Sequence, residues 1–394
     1  MSSPLRKQNN IYTYSYPHYQ TEYSNNITKP LKRKAIKRKP APKRKSFLAT
    51  LFSFAFLCLF GYYVAPYAYN HFFSPLYLNR FLNRNIHLKT YDFIKPTSKY
   101  IHNSYVLDKY VTVPKALKSK EISDIQIINE MTSTKAKLKE LFAKYPHLHP
   151  SVFVWEYQTS SGFEINADEV FPSASIIKVP IAFELIRLID ETSNSTNPIK
   201  LDSKRMFTET YRTSGSGKLQ TKKANTEYTL NHLANIMIAE SDNSATNMIL
   251  NEIGGMDGFN RSMRNYGFKT ISMGQWLPDL EGHNKITARE ISKVFYNIDN
   301  PVYINPKYRA VLKEYLGNTK NIHLIKEKLP LDSMVLHKTG DIGTMLGDSG
   351  IVYTDNAKKY IVTILVKRPH NDYGAKNLIQ EASLIIYNDI KALQ

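Results

Sequence analysis

The sequence predicts an α+β fold, in which an antiparallel sheet is flanked by helices and joined to a helical subdomain, preceded by one transmembrane helix. Short runs with strand periodicity stand at both ends of residues 125–394, and a helical stretch lies between them. Strands grouped apart from helices favour an antiparallel sheet over alternating parallel units. An uncharged apolar run of about 20 residues near the amino terminus is long enough to cross a bilayer.

The first 69 residues predict a basic tail followed by a membrane anchor. Residues 1–45 hold twelve Lys and Arg and one acidic residue, Glu22, so +11 of the net charge of +19 lies there. We expect 1–45 to be a disordered cytoplasmic tail and 46–69 to be a transmembrane signal anchor. The positive-inside rule then carries the rest of the chain across a bacterial inner membrane. A cleaved secretory signal is the alternative, but its charged region is normally short.

Residues 70–124 lack clear periodicity and are interpreted as an extracytoplasmic spacer. The single cysteine, Cys58, lies within the apolar run, which excludes an internal disulfide and a cysteine-rich metal site. His147 and His149 precede a proline and are interpreted as surface residues, so we expect neither a metal nor a cofactor. Because the positive charge is concentrated in the tail, no nucleic-acid partner is expected, and a nucleic-acid binder acting through residues 1–45 is kept as an alternative.

Apolar periodicity assigns the elements of residues 125–394 in order. A first helix carries Leu138, Leu141 and Phe142 and ends at Lys144-Tyr145-Pro146. The helical middle is closed by Gly254-Gly255 as a carboxy-terminal cap. The other predicted elements are strands at 151–157, 163–165, 334–338, 350–354 and 360–366, and helices at 175–190, 229–252 and 375–393.

Ser175 and Lys178 form a Ser-x-x-Lys motif at the start of a predicted helix. One helical turn separates them, so the lysine amine lies on the same face as the hydroxyl. A serine hydroxyl needs a neighbour that takes its proton, and Lys178 could do so if burial or another cation lowered its pKa. Alone the motif is weak evidence for catalysis, because an ordinary helix start with an exposed lysine can have the same sequence.

Ser241-Asp242-Asn243 interrupts the second helical stretch with three short polar residues. Such a run suits a turn that aims side chains into a cleft. Ser241 could pass a proton to a leaving group, and Asn243 could hold a substrate carbonyl. An ordinary turn between two helices is the alternative.

Lys338-Thr339-Gly340 ends an apolar strand. An edge strand with a glycine lets a substrate backbone approach and pair with it. Lys338 adds positive charge for a carboxylate, and Thr339 adds a hydroxyl donor. A strand running into a turn is the alternative interpretation.

The three motifs occur in one chain, in order, separated by roughly 65 and roughly 100 residues, and this trio is the signature of class A β-lactamases and penicillin-binding proteins. Residues 125–394 resemble class A β-lactamases and, more closely, the penicillin-binding protein A peptidases of cyanobacterial type. The closer resemblance rests on the stretches at 277–282, 338–343 and 366–369. It implies that Ser175 forms the acyl-enzyme, that Lys178 activates it, and that the backbone N–H groups of Ser175 and Asp341 form the oxyanion hole.

The resemblance breaks at two positions. Leu277 stands where β-lactamases carry the glutamate that activates the deacylating water, and a leucine cannot accept a proton. Glu281, four residues on, is the candidate substitute base. Ser349 aligns with the lactamase arginine that helps to hold the substrate carboxylate.

The sequence therefore predicts a penicillin-recognising serine acyl-transferase. A D-Ala-D-Ala-type peptidase acting on peptidoglycan stem peptides is favoured, with β-lactams as mimics of those peptides. Besides the nucleic-acid binder, two alternatives stay open: a class A β-lactamase that uses Glu281 for deacylation, and a non-catalytic wall-binding or antibiotic-sensing module.

Overall fold

The computed structural model describes residues 123–300 and 303–393, so the predicted tail, anchor and nearly all of the spacer lie outside the described residues. A six-stranded sheet in the order β1-β3-β2-β10-β9-β8 forms its centre, and two-stranded ribbons pair β4 with β7 and β5 with β6. The strands are β1 (Asn129–Glu130), β2 (His149–Glu156), β3 (Ser161–Ile165), β4 (Phe171–Pro172), β5 (Lys204–Phe207), β6 (Thr226–Thr229), β7 (Lys285–Ile286), β8 (Met334–Asp341), β9 (Met345–Tyr353) and β10 (Lys359–Lys367).

Helices cover both faces of the sheet. They are α1 (Thr132–Ala143), α2 (Lys178–Thr192), α3 (Leu230–Ala239), α4 (Asn243–Glu252), α5 (Gly255–Asn265), α6 (Ala288–Asp299), α7 (Pro306–Gly317) and α8 (Gly374–Lys391). Short 3-10 turns span Ala174–Ile177, Glu209–Tyr211 and Leu219–Thr221. Within the described ranges, we find no helix that combines the length and the apolar character needed to cross a membrane.

The predicted α+β architecture is confirmed, with two corrections. The sheet is antiparallel except at β1, a two-residue strand that pairs in parallel with β3. The ribbons β4–β7 and β5–β6 were not predicted, because each strand has only two to four residues, too few for a period-2 pattern to emerge.

Alternation along the central strands divides the core into two clusters. Val152 and Val154 of β2 pack with α1 and α8, whereas Phe153 and Trp155 pack with the helical subdomain. Successive side chains of a strand point to opposite faces, so the sheet separates these two layers. The larger cluster includes most of α2, whose first residue, Lys178, is 0% exposed. The fold thus buries an amine at the amino end of its central helix.

Candidate active site

Ser175 lies in the 3-10 turn Ala174–Ile177, and α2 begins only at Lys178. The single helix predicted from Ser175 to Asp190 is therefore two consecutive helical segments. The expected juxtaposition of the two side chains is nevertheless present, because Lys178 Nζ lies 2.9 Å from Ser175 Oγ. Ser175 is half-buried, so its hydroxyl stays accessible from one side.

The second motif forms the predicted turn, between α3 and α4. Ser241 has a positive φ of 58°, which turns the chain sharply between the helices. Lys178 Nζ donates to the Ser241 carbonyl oxygen at 2.7 Å, and it lies 3.0 Å from Ser241 Oγ and 2.8 Å from Asn243 Oδ1. Asp242 caps α4 by accepting from Ala245 N–H, and it also accepts from Leu219 N–H. The cap fixes the turn against the buried lysine.

Four oxygens surround Lys178 Nζ, and their arrangement is compatible with a neutral amine. The Ser241 carbonyl oxygen and Asn243 Oδ1 can only accept hydrogen bonds; the amide orientation of Asn243 follows from its Nδ2, which donates to Ser214 O at 3.0 Å. A neutral amine satisfies these two acceptors with its two N–H groups. Its lone pair then faces the hydroxyls, where it can receive the Ser175 proton.

The electrostatic surroundings of Lys178 favour this neutral form. Burial lowers the pKa of Lys178 well below its ordinary value, the nearby charge of Lys338 lowers it further, and Asp242 opposes the shift. The sequence analysis required that burial or a second cation lower the pKa of Lys178 before it could act as a base, and the structure provides both.

The third motif lies on β8, which is the edge strand of the sheet, as predicted. Lys338 is 1% exposed, and its Nζ donates to Ser241 Oγ at 3.1 Å and to Thr339 O at 2.8 Å. Ser241 therefore bridges the two lysines. Burial lowers the pKa of Lys338 to about 7, opposed by the carboxylate of Asp348.

Gly340 is required by the close packing of β8 on the nucleophile turn. A Cβ at Gly340 would lie 3.0 Å from Ala174 Cβ and 3.0 Å from Ile176 Cγ1. The glycine thus lets the edge strand approach the two neighbours of Ser175. Thr339 is buried beside it, and Asp341 ends the strand with an exposed carboxylate that pairs with Arg368 and accepts from Gly343 N–H at 2.8 Å.

The remaining residues singled out by the sequence lie apart from this cluster. Among the described contacts, the Glu281 carboxylate faces His283 Nε2 at 3.6 Å and makes no hydrogen bond to the two lysines or the two serines; its side chain is 78% exposed. Ser349 is buried, with its hydroxyl 2.6 Å from Thr363 Oγ1. The structure therefore joins Ser175, Lys178, Ser241, Asn243 and Lys338 by hydrogen bonds, and it leaves Glu281 on the surface.

Leu277 is held in a buried loop by Asn247, a residue that the sequence analysis missed. Asn247 Nδ2 donates to Leu277 O at 2.8 Å, and Leu277 N–H donates to Asn247 Oδ1 at 3.1 Å. Thr213 Oγ1 donates to the same carbonyl oxygen at 3.1 Å. Asn247 stands one helical turn after Asn243 on α4, and this spacing was the available signal.

The segment 213–219 forms a wall beside the second motif and was also missed. Asn243 N–H donates to Ser216 O, and Gly215 and Gly217, with φ of 96° and 94°, pass close to Asn243 and Asp242. A side chain at Gly217 would collide with the Asp242 backbone. The run Thr213-Ser214-Gly215-Ser216-Gly217 indicated a loop, but one sequence could not say which element it contacts.

Comparison with known proteins is consistent with this geometry. The profile of the β-lactamase enzyme family, Beta-lactamase2, matches residues 133–390. The β-lactamase of Streptomyces albus G is 25% identical over 250 residues, which cover 59% of this chain and 78% of that protein. The β-lactamase SME-1 of Serratia marcescens is 26% identical over 246 residues, covering 59% and 81%.

Solved structures show the same relationship. The structure of PBP-A superposes with a TM-score of 0.64 at 28% identity, covering 69% of this chain and all of that chain. A leucine-to-glutamate variant of PBP-A, solved as its acyl-enzyme with penicillin G, has the same TM-score at 27% identity and the same coverage. With the family profile spanning most of the described residues, the chain belongs to the β-lactamase enzyme family and is a class A β-lactamase-like serine hydrolase close to PBP-A.

Proposed function

We propose that the protein is a D-Ala-D-Ala-type peptidase that acts on peptidoglycan stem peptides through a Ser175 acyl-enzyme and is trapped by β-lactams. Ser175 Oγ attacks the scissile carbonyl while its proton passes to Lys178 Nζ, 2.9 Å away. The resemblance assigns the oxyanion to the backbone N–H groups of Ser175 and Asp341. As the C–N bond breaks, Ser241, within 3.0 Å of Lys178 Nζ, delivers a proton to the leaving amine.

The observation that carries the peptidase assignment is the Asn247 clamp on Leu277. Two hydrogen bonds fix the backbone of the residue at the glutamate position, and the side chain there has no proton acceptor. Removing a positioned general base costs about 10²- to 10⁴-fold in rate. Acylation is expected to proceed, and hydrolysis of a penicilloyl adduct is expected to be slow.

Labelling with a fluorescent penicillin tests this proposal. The purified protein should take up one equivalent, and Ser175→Ala should abolish the label. Ser214→Ala is the matched control, because only the Ser214 backbone carbonyl is used in the site. A folded wild type that is not labelled would contradict the proposal and support a non-catalytic binding module.

The second candidate function is a β-lactamase that deacylates through Glu281. The β-lactamase names of the curated relatives favour it. If the adduct of the wild type disappears within seconds, and Glu281→Gln makes it persist, this candidate replaces the peptidase. The Glu281 carboxylate is exposed and faces His283, which supports slow hydrolysis of the adduct instead.

We also propose that residues 46–69 anchor the protein in the inner membrane of a bacterium, with the catalytic domain outside the cytoplasm. The support is the charge asymmetry of residues 1–45 around the apolar run. External protease should digest residues 125–394 of the full chain in spheroplasts without lysis. Protection of this domain until the membrane is broken would overturn the topology.

A further inference from the structure

The turn between β8 and β9, residues 342–344, is fixed by one arginine. Arg368 directly follows β10, and its side chain is 5% exposed. Its Nε donates to Gly343 O at 2.8 Å, its Nη1 donates to Asp372 O at 3.2 Å, and its Nη2 pairs with the Asp341 carboxylate. Each nitrogen of the guanidinium thus already donates to an oxygen of the protein.

Backbone hydrogen bonds join the same two segments. Arg368 N–H donates to Thr344 O at 2.9 Å, and Asn371 N–H donates to Gly343 O at 3.0 Å. Gly343 has a φ of 83°, and a Cβ there would lie 2.5 Å from the ring of His370. The turn therefore packs directly on the segment that follows β10, with no room for a side chain between them.

The strand ladder gives the direction of the Asp341 backbone N–H. Ile342 N–H donates to Met345 O at 3.1 Å, and the next pair along the two strands is Asp341 with Leu346. Hydrogen-bonded and non-hydrogen-bonded pairs alternate in an antiparallel ladder, so Asp341 belongs to a non-hydrogen-bonded pair. Its N–H therefore points away from β9, toward the open edge of the sheet.

The same end of β8 meets the turn that carries Ser175. A Cβ on Gly340, the residue before Asp341, would lie 3.0 Å from Ile176 Cγ1 and 3.2 Å from Ile176 N. Side chains alternate along a strand, so the Asp341 carboxylate lies on the face opposite to this contact. Arg368 therefore holds Asp341 through its side chain and leaves its N–H directed at the open edge.

We propose that Arg368 is a positioning residue for acyl transfer, which holds the backbone N–H of Asp341 where the oxyanion develops. This inference rests on the proposed function, in which that N–H and the N–H of Ser175 bind the oxyanion. The guanidinium also balances the charge of the Asp341 carboxylate, which would otherwise stand unpaired on the residue that stabilises an anion. Arg368 does not itself bind substrate, because its side chain is buried and its nitrogens are engaged.

Stopped-flow acylation by penicillin G separates the dissociation constant of the initial complex from the acylation rate constant. Arg368→Gln should lower the rate constant about tenfold, a part of the roughly 10²- to 10³-fold cost of losing one oxyanion donor, and should change the dissociation constant less than about twofold. Arg289→Gln is the matched control, because Arg289 pairs with Glu164 and Asp168 and makes no described contact with Ser175. Both constants of the control should equal those of the wild type.

Two outcomes of this experiment would overturn the proposal. A raised dissociation constant with an unchanged rate constant would make Arg368 a substrate-binding residue. A folded Arg368→Gln protein that acylates as fast as the Arg289→Gln control would show that the ion pair with Asp341 is only structural.

Infrared spectroscopy of the penicilloyl adduct reports on the Asp341 N–H directly. Hydrogen bonds from oxyanion donors lower the stretching frequency of the ester carbonyl, so the adduct of Arg368→Gln should absorb at a higher wavenumber than that of the wild type. A loss of stability alone would leave the band in place, and an unmoved band would therefore contradict the proposal.

Arg368→Lys keeps the proposal testable if Arg368→Gln does not fold. The lysine retains the positive charge beside Asp341 but cannot reach all three acceptors, so the slowing and the band shift should both be smaller; a wild-type rate and band would refute the role. A wild type that is never acylated fails the proposed function, whereas a wild type that acylates beside unaffected Arg368 variants fails only this inference.

Discussion

Replacing Leu277 with glutamate should turn a stable penicilloyl adduct into a hydrolysed one. Leu277 is 6% exposed but belongs to neither hydrophobic cluster, so the cost of the substitution is the lost burial of one side chain. Its backbone is fixed by Asn247 at both N–H and carbonyl. A carboxylate introduced there would occupy the position at which the family activates water, and Leu277→Glu supplies the missing base without rebuilding the loop.

The expected gain is about 10²-fold in deacylation, the lower end for a positioned general base. Losing the burial of the leucine costs about 1.5–3 kcal/mol. For a domain of this size that corresponds to roughly 3–12 °C in Tm, at about 2–4 °C per kcal/mol. The variant should therefore fold and turn over.

Intact-protein mass spectrometry after a pulse of penicillin G measures the adduct lifetime directly. Leu277→Gln, of equal size but without a base, is the matched control and should keep the long lifetime of the wild type. Adding Asn247→Ala to Leu277→Glu should remove most of the gain by freeing the loop. A folded Leu277→Glu protein whose adduct lasts as long as that of the wild type would refute the assignment of Leu277 to the water-activating position.

Three further substitutions test the site and the fold. Ser241→Ala removes the hydroxyl shared by both lysines and should slow acylation by about 10²- to 10³-fold in stopped-flow labelling, with Tm nearly unchanged. Gly340→Ala should lower the free energy of unfolding by about 1–3 kcal/mol and slow acylation, because the added Cβ would lie 3.0 Å from atoms of the 3-10 turn that carries Ser175. The control Gly317→Ala, whose Cβ has its nearest contact at 3.4 Å, should change the free energy of unfolding in urea by less than about 0.5 kcal/mol. Thr287→Ala should cost about 1 kcal/mol by removing the amino-terminal cap of α6, while exposed Thr210→Ala should be neutral in the same assay.

Periodicity predicted the central strands and the helices α1, α2, α3, α4 and α8. It missed α5, α6 and α7, although each of them has 11 or 12 residues. β8 and β10 extend beyond their predicted bounds, and β9 begins five residues earlier than predicted, since polar residues such as Thr339 and Asp348 continue the strands where the apolar pattern stops. The parallel pairing of β1 escaped prediction for another reason. Its two exposed residues carry no burial pattern, and tertiary contacts alone decide their pairing.

Contacts in the candidate site between residues close in the sequence could be predicted, whereas contacts that depend on the tertiary fold could not. Ser175 and Lys178 are three residues apart, so their contact follows from helical geometry. The contacts of Lys338 with Ser241 and of Asn247 with Leu277 join positions that are distant in the sequence, and the three motifs predicted only the first of them. His337 was read only as part of a strand, because its partner Asp348 becomes visible only when β8 and β9 pair.

The shared Ser241 imposes opposite proton requirements on the two buried lysines. In the proposed reaction, Lys178 must be neutral to accept the Ser175 proton, whereas Lys338 must be charged to attract a carboxylate. Two like charges bridged by one hydroxyl disfavour simultaneous protonation of both lysines. Burial and the nearby Lys338 charge lower the pKa of Lys178 well below its ordinary value, whereas burial lowers the pKa of Lys338 to about 7. At neutral pH the same buried cluster can thus combine a neutral base, Lys178, with a partly protonated Lys338.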